Sequence, residues 1–451
     1  MISGLFARRA LLPTGWAHDV RIEWAGGRIT SVTPGASPHS GDERRETVVP
    51  GLPNLHSHAF QRGMAGLAEI AGPAADTFWT WRDVMYRFAL AMTPEQMEAI
   101  AAQAYMEMLE SGFTRVGEFH YLHHDPSGAP YADIGEMAGR IAAASQNAGI
   151  GLTLLPVFYA HGDFGGRAPH EGQRRFINDM ESYGRLVDRC RELVAPIASA
   201  NVGVAPHSLR AVTPAELDEV VALGHEGPIH IHAAEQTREV EDSVAALGSR
   251  PVEWLLANAD VDDRWCLIHA THITDVEAEP LARSGATAGL CPITEANLGD
   301  GIFAAEPYLA AGGRYGVGTD SNVRIAAREE LRQLEYSQRL GLRRRNVVAT
   351  EGVATGRALF EAAQAGGNQA LGVTDGGIAP GAAADVISLD CELWETGEND
   401  SILNGWIFAQ GVVVGDVWTG GTKVVSSGRH HRREMIASRF REAMRDLRAA
   451  T

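Results

Sequence analysis

Lysine is almost missing from this chain of 451 residues: of 39 basic residues one, Lys423, is lysine and the rest are arginine. A two-metal site bridged by a carbamylated lysine is therefore excluded wherever it would need a lysine upstream of that point. Cysteine is scarce too. Cys190, Cys266, Cys291 and Cys391 stand far apart with no CxxC pairing, which excludes a zinc ribbon or a disulfide framework and fits the reduced thiols of a cytoplasmic protein. No run of about 18 apolar residues occurs, so no segment reads as a membrane-spanning helix. The N-terminal MISGLFARRALLPTGWAHDV lacks the basic stretch followed by a long apolar core that marks a secretory signal. Positive charge is in deficit as well. A net charge of −18 argues against nucleic acid or an anionic membrane as the main partner.

What is present is enough apolar material, 45% of residues, for a large core. Length alone suggests two or three domains, although an α/β barrel commonly takes 250 residues or more as one unit. The first 47 residues hold short strand-like runs, VRIEW and RITSV, around a Gly26-Gly27 turn. The tail repeats the style, with ADVISLD (384–390) and GVVVGDVWTGGTKVV (411–425) around a second Gly-Gly turn. Both ends thus read as parts of one small β domain into which a larger domain is inserted.

Between them, eight buried-type strands alternate with helical stretches: residues 48–56, 113–120, 151–158, 201–207, 228–234, 264–270, 287–293 and 314–320. The clearest helix starts at Thr93-Pro94-Glu95-Gln96, an N-cap, a proline at the first turn and the glutamine of a capping box, and it stops at Ser111-Gly112. The expected fold is α/β: a (β/α)₈ barrel over residues 49–376. A small β-sandwich-like domain from residues 1–48 and 377–451 completes it, with a terminal helix.

Such a barrel builds its active site at the C-terminal ends of its strands. Strand one ends in His56 and His58, which at two-residue spacing point to the same side of an extended chain. Strand five ends in HIHAAE, with His232 and Glu235; strand six gives His269; strand eight closes on Asp320. An isolated HxH is weak evidence and more often not a ligand pair, but here imidazoles and carboxylates recur at strand ends on one rim. His56, His58, His232 and Asp320 make a plausible mononuclear site for one divalent metal, zinc first and iron(II) second. Such a metal lowers the pKa of a bound water to about 7. Glu235 and His269 then remain as acid–base groups. His230 reads as structural, His272 as a loop residue, and His120, His123 and His124 as loop residues near the pocket rather than a second metal cluster. His18, His39, His430 and His431 read as surface positions.

PGLPNLHSHAFQ, HIHAAEQ, the strand-six histidine and GVGTDSN resemble the single-metal deaminase branch of the amidohydrolase superfamily, over essentially the whole chain. LHSHAFQRGMAG, WTWRDVMY and CPITEANLGDGIF are similar to the formiminoglutamate deiminases within it. Thr294-Glu295-Ala296-Asn297 departs from the CP-x-S-N pattern of many related deaminases and chlorohydrolases. The resemblance implies hydrolysis of N-formimino-L-glutamate to N-formyl-L-glutamate and ammonia in histidine degradation. It implies ligation by His56, His58, His232 and Asp320, and proton transfer by Glu235, with His269 and Asp320 positioning and deprotonating the water. It also implies substrate contacts from Gln61, Arg82, Tyr121, His207 and Arg210, and a homodimer. A dicarboxylate substrate makes physical sense of the arginines, whose planar forks bind carboxylates bidentately; Arg62, Arg87 and Arg324 are alternatives. Two other readings are a deaminase of guanine or a related heterocycle and a non-catalytic barrel scaffold.

Overall fold

The computed structural model describes residues 3–71, 78–391 and 399–450. All eight barrel strands are present: Leu52–Ser57, Phe113–His120, Gly151–Phe158, a fourth broken into Ala200–Val202 and Ala205–Pro206, Ile229–Ala233, Trp265–His269, Thr287–Leu290 and Arg314–Val317. Strands one to four pair in parallel order, as do strands five to eight. Isolated parallel bridges join the two runs at both seams, Val204 with Ile229 and Ser57 with Asp320. Strands one and three are buried at every residue. That is why the sequence shows them as continuous apolar runs, since parallel strands covered on both faces need no polar alternation.

The expected first strand, 48–56, is in fact two strands in two sheets. Val48–Pro50 ends the strand Glu43–Pro50 of the small domain, and the barrel strand begins at Leu52, after Gly51. An unbroken apolar run conceals the crossing. Thr93 caps the helix Pro94–Ser111 with the full capping box, and Gly112 ends it at φ +107°, a conformation side chains disfavour.

The small domain is one continuous eight-stranded sheet. Its order is Arg429–His430, Thr422–Ser426, Val412–Thr419, Val386–Cys391, Glu43–Pro50, Ser3–Leu12, Gly15–Ala25, Arg28–Thr33. Strands from the two ends of the chain meet where Val386–Cys391 runs antiparallel to Glu43–Pro50. Leu5, Val20, Ile22, Trp24, Val386 and Trp418 form part of a core of its own. The one lysine lies here: Lys423 Nζ contacts Glu43 and stands 2.8 Å from Asp416, whose carboxylate also takes Arg45. His430, expected at the surface, is buried, because its strand packs under the barrel and its Nε2 donates to the Ala148 carbonyl at 2.8 Å. No helix among the described residues is long and apolar enough to cross a membrane.

Candidate active site

The polar ends of strands one, five, six and eight converge on one cavity. His56 Nε2 lies 3.2 Å from both His58 Nε2 and His232 Nε2, and Asp320 Oδ1 lies 3.4 Å from His56 and 3.2 Å from His58. Four donors around a tetrahedral ion with bonds near 2.0–2.1 Å are spaced by about 3.3 Å. The spacing fits. The tautomers fit as well: His58 Nδ1 donates to the Phe119 carbonyl at 2.9 Å and His232 Nδ1 to the His207 carbonyl at 3.1 Å, leaving both Nε2 lone pairs pointing at each other's site. Lone pairs facing one another in a buried cluster call for a cation between them. Burial pushes His56 down to about 3, so its ring stays neutral and able to ligate. These residues therefore suit a divalent metal.

The backbone supports the arrangement by adopting left-handed turns at the rim. Ala234, His269, Ala270, Asp320 and Asn322 all have φ between +45° and +69°. Such conformations in non-glycine residues cost about 1–3 kcal/mol each and persist only where the surroundings impose them. Asn322 is one such surrounding: its Nδ2 donates to Ser57 Oγ, the His58 carbonyl and the Asp320 carbonyl at 3.0–3.1 Å. Thr319 in turn binds both Asn322 and Asn54, locking strand eight to strand one.

Glu235 and His269 stand beside the quartet, with His269 Nε2 3.7 Å from Glu235 Oε1 and 3.9 Å from Asp320 Oδ2. Burial raises the Glu235 carboxyl to about 7, against the opposing pull of His269 and Arg210. Burial works against a charged His269, but the Glu235, Glu295 and Asp320 carboxylates outweigh it and raise the ring to about 10. Asp320 is held well below the usual carboxylate range: burial opposes its charge, but its close contacts with the His56 and His58 rings prevail.

Ten of the eleven sequence-chosen site residues line this cavity; His56 sits beneath it, fully buried. Gln61, in the short turn Ala59–Met64, donates to Tyr121 Oη at 2.8 Å, and its own Oε1 is buried without a partner among the described residues. Arg82 lies on the helix Phe78–Ala91, which overhangs the mouth, and Arg210 follows strand four. Their guanidiniums sit 4.4 Å and 5.8 Å from the ring centre of Trp79, and the Nε of each is buried without a hydrogen-bond partner among the described residues. Burial opposes the charge of Arg210, but Glu239 and Glu235 more than offset it. The His207 ring packs against Tyr159 with ring centres 4.5 Å apart and planes tilted by 58°, and it donates or accepts at Ser208 Oγ, 3.0 Å away.

The alternatives fall away. Arg62 is tied to Glu107 and Arg324 to Glu329, and Arg87 lines a separate groove. His230 donates to the Ala370 carbonyl at 2.6 Å below the site. His123 and His124 are pinned by the Val157 and Ile177 carbonyls and join no metal-type cluster among the described residues. Sequence reasoning gave no role to Glu239, Glu295, Asp300 or Asn322. Their only signal was adjacency to motifs, in HAAEQTREVE, CPITEANLGD and GTDSN.

The chain matches the amidohydrolase family over residues 47–424 and the N-terminal domain of formimidoylglutamate deiminase HutF over residues 2–46. It belongs to the amidohydrolase family. Within that family it is 51% identical to the formimidoylglutamate deiminase of Pseudomonas aeruginosa, across 99% of this chain and 100% of that one. The crystal structure of an amidohydrolase from Brucella melitensis superposes with a TM-score of 0.97 at 58% identity, covering 99% of both chains. The 8-oxoguanine deaminase of Pseudomonas aeruginosa is 29% identical over 84% of this chain and 83% of its own.

Proposed function

We propose that the protein hydrolyses N-formimino-L-glutamate to N-formyl-L-glutamate and ammonia, in histidine degradation. The observation that carries this reading is the pair Arg82 and Arg210, each with a buried donor left without a partner among the described residues, in the same cavity as Glu235 and His269. Two guanidiniums beside one acid–base pair suit a linear substrate that carries an amidine and two carboxylates, one on the carbon that bears the amidine nitrogen and one at the far end of the chain. A purine has no carboxylates to offer them. The full-length likeness to the Pseudomonas aeruginosa deiminase supports the same substrate.

His56, His58, His232 and Asp320 would hold one divalent ion, zinc by donor set with iron(II) as second choice. Bound there, the ion would supply Lewis acidity and acidify water at neutral pH. The chain's own residues do the rest. Arg82 and Arg210 grip the carboxylates, with Gln61, Tyr121 and His207 along the cavity wall, and present the formimino carbon to the rim. Water adds to that carbon and gives its proton to Asp320, while the His269 ring, which already carries its own proton, positions the water. Glu235, protonated for a substantial fraction of the time near neutrality, gives a proton to the formimino nitrogen as water adds, then relays the hydroxyl proton of the tetrahedral carbon to the same nitrogen. The C=O forms, the C–N bond breaks, ammonia leaves, and the proton held by Asp320 restores Glu235. We place the enzyme in the cytoplasm, in keeping with the buried thiols Cys190, Cys266 and Cys291, which form no disulfide.

Ammonia release measured on formiminoglutamate and on guanine tests the assignment. Turnover of guanine without turnover of formiminoglutamate sinks it.

A further inference from the structure

The segment after strand seven departs from the pattern of related deaminases at Thr294-Glu295-Ala296-Asn297, and the chemistry above uses none of these residues. Glu295 nevertheless lies in the wall of the site. The helix Pro292–Leu298 starts directly behind strand seven and turns this carboxylate inward. Its Oε1 accepts the Cys291 N–H at 2.8 Å and stands 3.3 Å from His269 Nδ1. Both side chains are almost wholly buried, at 1% and 7% exposure.

An imidazole with no partner at Nδ1 can turn over about its outer bond and exchange nitrogens for carbons. A fixed anionic acceptor removes that freedom and keeps the proton on Nδ1. The other nitrogen of His269 is the one that faces Glu235 and Asp320. The backbone of His269, at φ +69°, sets where the ring starts, and Glu295 sets which edge it shows.

His269, Cys291 and Glu295 also meet the spacing of a metal-type cluster. Their chemistry speaks against a second ion: burial pushes the Cys291 thiol well above its usual range, so it keeps its proton, and Glu295 Oε1 is already taken by a backbone N–H.

We propose that Glu295 is the positioning residue of His269, accepting Nδ1–H so that Nε2 stays turned toward Glu235 and Asp320 in the reaction. The kinetic part of the test rests on the proposed deiminase activity; the spectroscopic part does not. In protein labelled with ¹⁵N-histidine, the Nδ1–H signal of His269 is assigned by its disappearance in His269→Gln. In Glu295→Leu that signal is lost, the bound metal stays at the wild-type level, and kcat falls by about 10–100-fold with KM unchanged. Glu295→Gln, whose amide oxygen still accepts both N–H groups, keeps the signal, shifted upfield, and recovers most of kcat. An unaltered signal in Glu295→Leu, or a KM that rises in step with the fall in kcat, overturns the proposal. Should the leucine variant not fold, the glutamine variant decides: an upfield shift supports the hydrogen bond and an unmoved signal refutes it. A wild-type enzyme that released no ammonia from formiminoglutamate would sink the substrate assignment, and the signal would still test Glu295.

Discussion

Glu235 is a carboxylic acid placed where ionising is costly, and its pKa of about 7 is the direct result of burial. Replacing it with glutamine keeps the shape and removes the proton. Glu235→Gln should lower kcat by about 10²–10⁴-fold with metal content intact, read from steady-state ammonia release and metal analysis of the same preparation. The arginines answer to a different measurement. Losing one charge-assisted contact costs about 1.5–3 kcal/mol, so Arg82→Met and Arg210→Met should each reduce kcat/KM by about 10–150-fold, mostly through KM. A truncated substrate with one carboxylate should lose less in the variant that removes the matching arginine. The ligand quartet was readable in the sequence because its members sit at fixed strand ends with telling spacing. Glu295 and Asn322 were not, since a carboxylate on a short helix and an amide in a left-handed turn acquire their meaning only from what folds against them. The distinction between Arg82 and Arg62 was also hidden: both follow strand one, and only the fold supplies Glu107 to neutralise the second.

Among the elements, the seam between strands eight and one deserves a direct test, because it holds two ligand-bearing segments in register through Asn322. Asn322→Ala removes three donated hydrogen bonds and should weaken metal binding by about 10–100-fold, measured by competition with a chromogenic chelator. Unchanged affinity would show that the strand bridge alone sets the ligands. In the small sheet, Asp416 is held below the ordinary carboxylate range: its burial opposes charge, but Lys423, Arg45 and the Ser427 N–H favour the ionised form. A carboxyl depressed in the folded state adds stability above its unfolded pKa of about 4, and that stability drains away as pH falls through the folded value. Asp416→Asn should therefore unfold at lower temperature than wild type at pH 7, and the gap should narrow on acidification from pH 5 to pH 2, followed by thermal melting. The barrel strands were legible because apolar runs bounded by helices are their ordinary signature. The same signature misled at Val48–Pro50, where one apolar run serves two sheets.

At the scale of the whole molecule, the metal site joins opposite sides of the barrel, strands one and eight with strand five. Ligands that bind only the folded state stabilise it by mass action. Dialysis against a strong chelator should abolish ammonia release and lower the melting temperature, and one equivalent of zinc should restore both; a melting temperature indifferent to the chelator would refute the metal assignment. The small sheet has a further consequence, in the order of synthesis. Glu43–Pro50 lies between Ser3–Leu12, made just before it, and Val386–Cys391, made after the entire barrel. At about 5–20 residues per second, its open edge waits roughly 20–70 s on the ribosome for its neighbour. Exposed strand edges invite foreign pairing, so the interval of greatest aggregation risk for this chain falls during translation, and slowing elongation within the barrel-coding region should lengthen it.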